Sequence, residues 1–209
     1  MKLPILFYIF VLLEILTAFA GGFRYRNLPR PLRILEWLII VSVLQVGFAF
    51  ILAYMNIRTL WTSHFFTIFE IVCFIFMYLS WIHLKQTRVA LYVCLAGFFI
   101  LWIVSKFTFE PLSFSDDGTA TISKIIQIVF STYLLVVIVR ESDIIWTNDP
   151  RFWVTTGFII YAAGSLFWFA LFNIMLQASP GRLKFLFSIN WVLMIITNLF
   201  YTRAFLCKT

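Results

Sequence analysis

The sequence predicts an all-α fold: a polytopic membrane protein built as a seven-transmembrane-helix bundle, N-out and C-in, in one domain covering residues 1–209. Three observations predict it. Only 12% of the residues are charged and 63% are hydrophobic, with a mean hydropathy of +0.99. A soluble domain carries about a quarter charged and about half apolar residues, so water is not the main solvent here. Apolar runs of the roughly 20 residues needed to cross hydrocarbon recur seven times between charges, prolines or glycines. Aromatic residues make up 20% of the chain, which suits a lipid-facing surface with side chains anchored at both interfaces.

The first expected span is Leu3 to Ala20. Lys2, the apolar stretch and Ala18-Phe19-Ala20 resemble a cleavable signal peptide. Glu14 interrupts that stretch, however, and cleavage after Ala20 would leave an arginine-rich loop outside, against the charge rule. The segment is therefore expected to stay as a span. The loop GGFRYRNLPRPLR follows, with Gly and Pro breaking the helix and Arg24, Arg26, Arg30 and Arg33 facing the cytoplasm. The second span is expected from Glu36 to Tyr54, the third from Ser63 to His83 and the fourth from Val89 to Ser105. The stretch Lys106 to Thr121 is the one connection long enough for local structure. Ile122 to Val139, Phe152 to Leu176 and Leu183 to Leu206 complete the set.

Orientation follows from Lys and Arg, which are retained on the cytoplasmic side. One side collects Arg24, Arg26, Arg30, Arg33, Lys85, Arg88, Arg140, Arg151, Arg203 and Lys208; the other has Lys2, Arg58, Lys106, Lys124, Arg182 and Lys184. Ten against six favours N-out and C-in. The net charge of +7 sits in these short loops, so it sets topology and argues against a nucleic-acid partner. The arginine loop is first a topogenic device and second a candidate contact for anionic membrane lipids or a cytoplasmic partner. Cys73, Cys94 and Cys207 show no paired or metal-type spacing.

Polar groups inside hydrocarbon cost several kcal/mol unless they face the bundle interior, so each is a candidate. His64, Thr67 and Glu70 follow at intervals of three on one stripe of the third span. Asn190, Thr197, Asn198 and Tyr201 share a face of the seventh. Gln45, Gln127, Tyr133, Tyr161 and Asn173 add to the second, fifth and sixth. For Asn, Gln, Thr and Tyr, interhelical hydrogen bonding of about 1 kcal/mol each is sufficient explanation. Glu70 demands more, because a carboxylate near mid-membrane must be protonated, paired or hydrated. Arg140 and Lys106 lie at the ends of their spans, and neither is an obvious counterion. Glu14 poses the same problem nearer the cytoplasm. His64 reads equally well as an interfacial histidine and as a ligand or proton carrier. Gly157, Tyr161, Gly164 and Trp168 share a face whose glycines admit a close neighbour, which is a packing pattern.

Several chemistries lack their parts. Covalent retinal binding needs a lysine near the middle of the last span, and Lys184 is at its end. His64 and His83 are about 28 Å apart along one helix, too far to share a metal. No phosphate loop, nucleophile elbow or HExxH occurs. No catalytic residue, metal or cofactor is assigned. The expected function is a membrane-embedded receptor-like or accessory signalling module with an outward-facing polar pocket for a small ligand, formed by Asn56, His64, Glu70, Gln127, Asn173 and Asn190. Glu14, Glu70, Tyr161 and Asn198 are the candidates for buried polar or proton-carrying roles. The alternatives are a small-solute or proton-coupled transporter, in which Glu70 or Glu14 carries the proton, and an intramembrane lipid-modifying enzyme.

Two resemblances extend this reading. The stretches NIRTLWTSHFFTIFE, NDPRFWVTTGFIIYAAGSLFWFALFN and INWVLMIITNLFY resemble a group of uncharacterised bacterial seven-helix membrane proteins. That resemblance implies a bacterial inner (plasma) membrane location and a signalling partner such as a sensor histidine kinase, with homo-oligomerisation open. The echo between NLPRPLR before the second span and NDPRFW before the sixth suits a duplicated three-helix unit. The layout alone resembles seven-helix sugar transporters, whose Pro-Gln signature is missing.

Overall fold

In the computed structural model the described residues are 4–113, 116–141, 146–176 and 180–207, with the side chains of 169–184 and of 186 left out. Seven helices account for most of them: α1 (Ile5–Arg24), α2 (Arg30–Tyr54), α3 (Leu60–Trp81), α4 (Lys85–Thr108), α5 (Asp117–Arg140), α6 (Pro150–Leu176) and α7 (Pro180–Leu206). Among the described residues, six helices are long and apolar enough to cross a membrane, as in an integral membrane protein.

Each expected span overlaps one helix, but the ends differ: Leu3 lies outside the described residues, and Ile82 and His83 lie beyond the end of α3. α2 starts six residues before Glu36, because Pro29 is extended and Pro31 is pre-set for a first helical turn. α3 stops at Trp81 because Ile82 turns to an extended conformation. α4 runs from Lys85 through Thr108, and α5 begins at Asp117 rather than Ile122.

By internal contacts the chain divides into two compact units: residues 1–27 with 127–209, and residues 28–126. The division falls inside α5. In the first unit α7 packs on both α1 and α6. The α6 glycines make the second contact possible: a Cβ on Gly157 would lie 2.7 Å from Tyr201 Cε1, and one on Gly164 would collide with Leu193 Cδ1. Phe158 and Tyr201 meet at 5.6 Å between ring centroids, and Trp153 and Phe200 at 5.4 Å. Along α1, Phe7 meets Trp191 at 5.8 Å, Thr17 and Thr202 share a 2.9 Å hydrogen bond, and Arg24 donates to the Phe205 carbonyl at 2.7 Å.

In the second unit α2 and α3 form a hairpin through residues 55–59, where Asn56 takes a left-handed φ of 58° that asparagine tolerates. α4 packs on α3. The half of α3 beyond Glu70 is close-packed, with Ile71, Phe74, Ile75, Met77 and Tyr78 essentially without exposed surface. Leu32, Leu35 and Leu91 are equally buried.

Candidate functional site

The stripe predicted on α3 is the centre of a buried ionic ladder. An interval of three residues keeps His64, Thr67 and Glu70 on one side of the helix, and all three are buried. Each rung meets a partner from elsewhere in the same unit. Lys124 of α5 holds Glu70 from both sides, with Nζ at 2.5 Å from Oε1 and 2.6 Å from Oε2. Thr67 Oγ1 donates to Asp116 Oδ2 at 2.6 Å. Lys106, in the last turn of α4, lies 2.5 Å from His64 Nδ1. With Lys106 as an ammonium, which can only donate, Nδ1 is the acceptor and the imidazole proton is on Nε2.

Glu110 fastens the ladder to the start of α5. Its carboxylate accepts the backbone N–H of Gly118 and of Thr119, the latter at 3.1 Å, and the Thr119 hydroxyl at 2.7 Å. The first N–H groups of a helix lack intrahelical partners, so a carboxylate placed there caps them and complements the helix dipole. The same carboxylate is 3.5 Å from Lys106 Nζ. Asp116 acts electrostatically on both lysines. Three carboxylates, two ammonium groups and one imidazole thus tie together α3, the end of α4 and the start of α5.

This arrangement corrects one expectation. Glu70 has a counterion, and it is Lys124, which the charge rule had assigned to the outer-side loops. Once Glu110 caps α5 at Asp117, Lys124 lies two turns inside the helix and turns toward α3. The signal was present in the sequence: Lys124, Gln127 and Ser131 are spaced zero, three and seven, and all three are buried. Lys106, set aside as a partner for Glu70, instead serves His64 and Glu110.

The other candidates are distributed as follows. Asn56 is exposed on the α2–α3 turn and takes no part in the ladder. Gln127, Asn173 and Asn190 belong to the other unit, where Gln127 is buried and Asn190 half-exposed. The Asn173 side chain lies outside the described residues. Glu14 is buried, and Asn198, also buried, donates to the Met194 carbonyl at 3.0 Å. Tyr161 is half-buried, its carbonyl accepting the Ser165 hydroxyl at 2.8 Å. Of the loop arginines, Arg24 and Arg33 bond backbone carbonyls while Arg26 and Arg30 are exposed.

Two features went unread in the sequence. Glu36 on α2 has no exposed surface, and neither carboxylate oxygen finds a hydrogen-bond partner among the described residues. In the first turn of α6, Arg151 bridges Asp149 at 2.7 Å and Glu141, beyond the end of α5, at 2.5 Å. Burial, and Asp149 in the same sense, push up the thiol of Cys207, past the end of α7, against the opposing pull of Arg203 and Arg24. Comparison of the chain with protein families, curated proteins and solved structures gives no match.

Proposed function

We propose that the chain is a membrane-embedded sensing module, receptor-like or accessory to a signalling partner, seated N-out and C-in with seven spans in a bacterial inner membrane. The observation that carries this reading is the ladder's position above a sealed floor. The ionic groups lie along α3 from His64 to Glu70, and beyond them the inward side of α3 is filled by Ile71, Phe74, Ile75, Met77 and Tyr78, all buried. A polar route through this unit would favour transport; a polar cluster closed below Glu70 favours detection.

The ladder has the properties of a switch. Buried ion pairs are stable only as a matched set, because removing one member leaves another charge desolvated and uncompensated. A small polar or charged ligand, or a proton, that engages His64, Lys106 or Glu110 unbalances the remaining groups. Glu110 is also the cap of α5, so the imbalance reaches that helix directly. At its other end α5 leads into Glu141 and its pair with Arg151. A shift of α5 would thereby reach Glu141 and Arg151, and a membrane partner such as a histidine kinase would read it there.

The test is a thermal-shift screen of purified protein against small metabolites, ions and lipids, alongside the Glu70→Gln variant. A ligand that binds only the folded state must raise its stability. A stabilising compound whose effect disappears in Glu70→Gln supports the reading, and an absence of hits with the wild-type protein counts against it. Proton-coupled transport is the second reading, favoured by Glu36, a buried carboxylate with no ionic partner among the described residues. Proton flux into liposomes that is abolished by Glu36→Gln would replace the sensing proposal with it.

A further inference from the structure

The face of α3 adjoining the ladder borders a cleft with different chemistry. Val41, Leu44 and Phe48 of α2 and Trp61, Phe65 and Phe69 of α3 line a lateral opening of about 420 Å3. It occupies the half of the hairpin nearest the 55–59 connection. Its two polar side chains are Gln45 and Thr62, and the Thr62 hydroxyl is engaged with the Thr59 carbonyl at 2.8 Å. The rim is open, with Leu44, Phe48, Trp61 and Phe65 exposed. Phe48 and Trp61 meet edge to face at 5.9 Å, as do Trp61 and Phe65 at 6.2 Å, so the aromatic wall is fixed by its own contacts.

We propose that this cleft is a binding site for an anionic phospholipid, with one acyl chain between α2 and α3 and the headgroup phosphate at Arg58. Shape decides the first half. A partner helix measures about 10–12 Å across with its side chains, too wide to enter a gap between two helices that pack on each other. An alkyl chain is narrow enough, and it gains apolar contact without leaving any polar group unpaired. Charge decides the second half. Arg58 is the sole Lys or Arg between Arg33 and Lys85, it is exposed, and it stands on the connection that closes the cleft at its interfacial end. Guanidinium groups bind phosphate through paired hydrogen bonds. The site is independent of the sensing reading, although α3 gives one side to the cleft and another to the ladder.

Trp61 supplies the probe. The protein is reconstituted in phosphatidylcholine vesicles containing a minor fraction of lipid with brominated chains, which quench nearby tryptophan. The brominated lipid is phosphatidylglycerol in one set and phosphatidylcholine in the other. The expected result is stronger quenching by the anionic lipid at equal mole fraction. Trp61 is one of eight tryptophans, so the site is read as the part of that excess lost in Trp61→Phe, which removes this reporter while keeping an aromatic wall. That part should require about fivefold more anionic lipid in Arg58→Gln, the worth of one interfacial basic residue. Native mass spectrometry of the same proteins should find one phosphatidylglycerol retained by the wild type and lost from Arg58→Gln. Equal quenching by the two lipids, an excess undiminished in Trp61→Phe, or undiminished retention by Arg58→Gln would each overturn the assignment. Arg58 is exposed, so its substitution leaves folding intact and the comparison stays interpretable.

Discussion

The two compact units solve the same problem, holding helices together in a solvent that offers no hydrophobic drive, by opposite means. Residues 28–126 join α3, α4 and α5 through charges: Glu70 with Lys124, Lys106 with His64 and Glu110, and Glu110 with the first N–H groups of α5. In residues 1–27 and 127–209 the seams are made of close approach and small hydroxyls. Gly157 and Gly164 let α7 against α6, and Thr17 bonds Thr202. Packing seams tolerate substitution in proportion to the atoms added or removed. A matched set of buried charges does not, since each member is stabilised only by the others. The first kind of joint suits a scaffold and the second suits a trigger.

The largest expected effect breaks the ladder. Glu70→Gln or Lys124→Met alone should destabilise the protein by about 3–5 kcal/mol, because each leaves a buried charge uncompensated. The double variant should recover most of that loss in thermal unfolding in detergent. Additive losses would mean that the pair is exposed to water and that the contrast between the units is false. Next, Gly164→Val should cost about 1–3 kcal/mol by driving a branched side chain into Leu193, with no ligand dependence. Glu110→Gln keeps the shape of the cap and removes its charge, so a loss of about 1–2 kcal/mol is expected, with faster amide exchange confined to the first turn of α5. The smallest effect belongs to Thr17→Val, about 0.6 kcal/mol, the usual worth of an interhelical hydrogen bond in a membrane. A loss several times larger would make the hydroxyl seam as critical as the ladder.

What could be read in advance followed from periodicity. The stripe of His64, Thr67 and Glu70 and the glycine face of α6 are patterns within one helix, and both appear where spacing put them. The partners of the stripe are 42, 49 and 54 residues away in sequence, and no local pattern encodes which distant side chain will answer which rung. Lys124 was misassigned for a further reason. Hydropathy places the start of a span at its first apolar residue, whereas α5 starts five residues earlier because Glu110 caps it from outside. Asn56 is expected in the outward-facing pocket beside the stripe, but it sits exposed on a turn, where its left-handed φ is its own explanation. Glu36 escaped notice because a carboxylate six residues into α2 looks like an interfacial one until its neighbours are in place.

The ladder also makes this unit electrically responsive. In the proposed seven-span arrangement α3 and α5 cross the bilayer, which would put the Glu70–Lys124 pair within the transmembrane electric field. Any rearrangement that draws Lys124 and Glu70 apart along the membrane normal moves charge through that field, at about 2.3 kcal/mol per elementary charge and 100 mV for a full crossing and a fraction of that for a shorter one. On the proposed sensing reading a change of state here would carry a current, and the membrane potential would bias which state is populated.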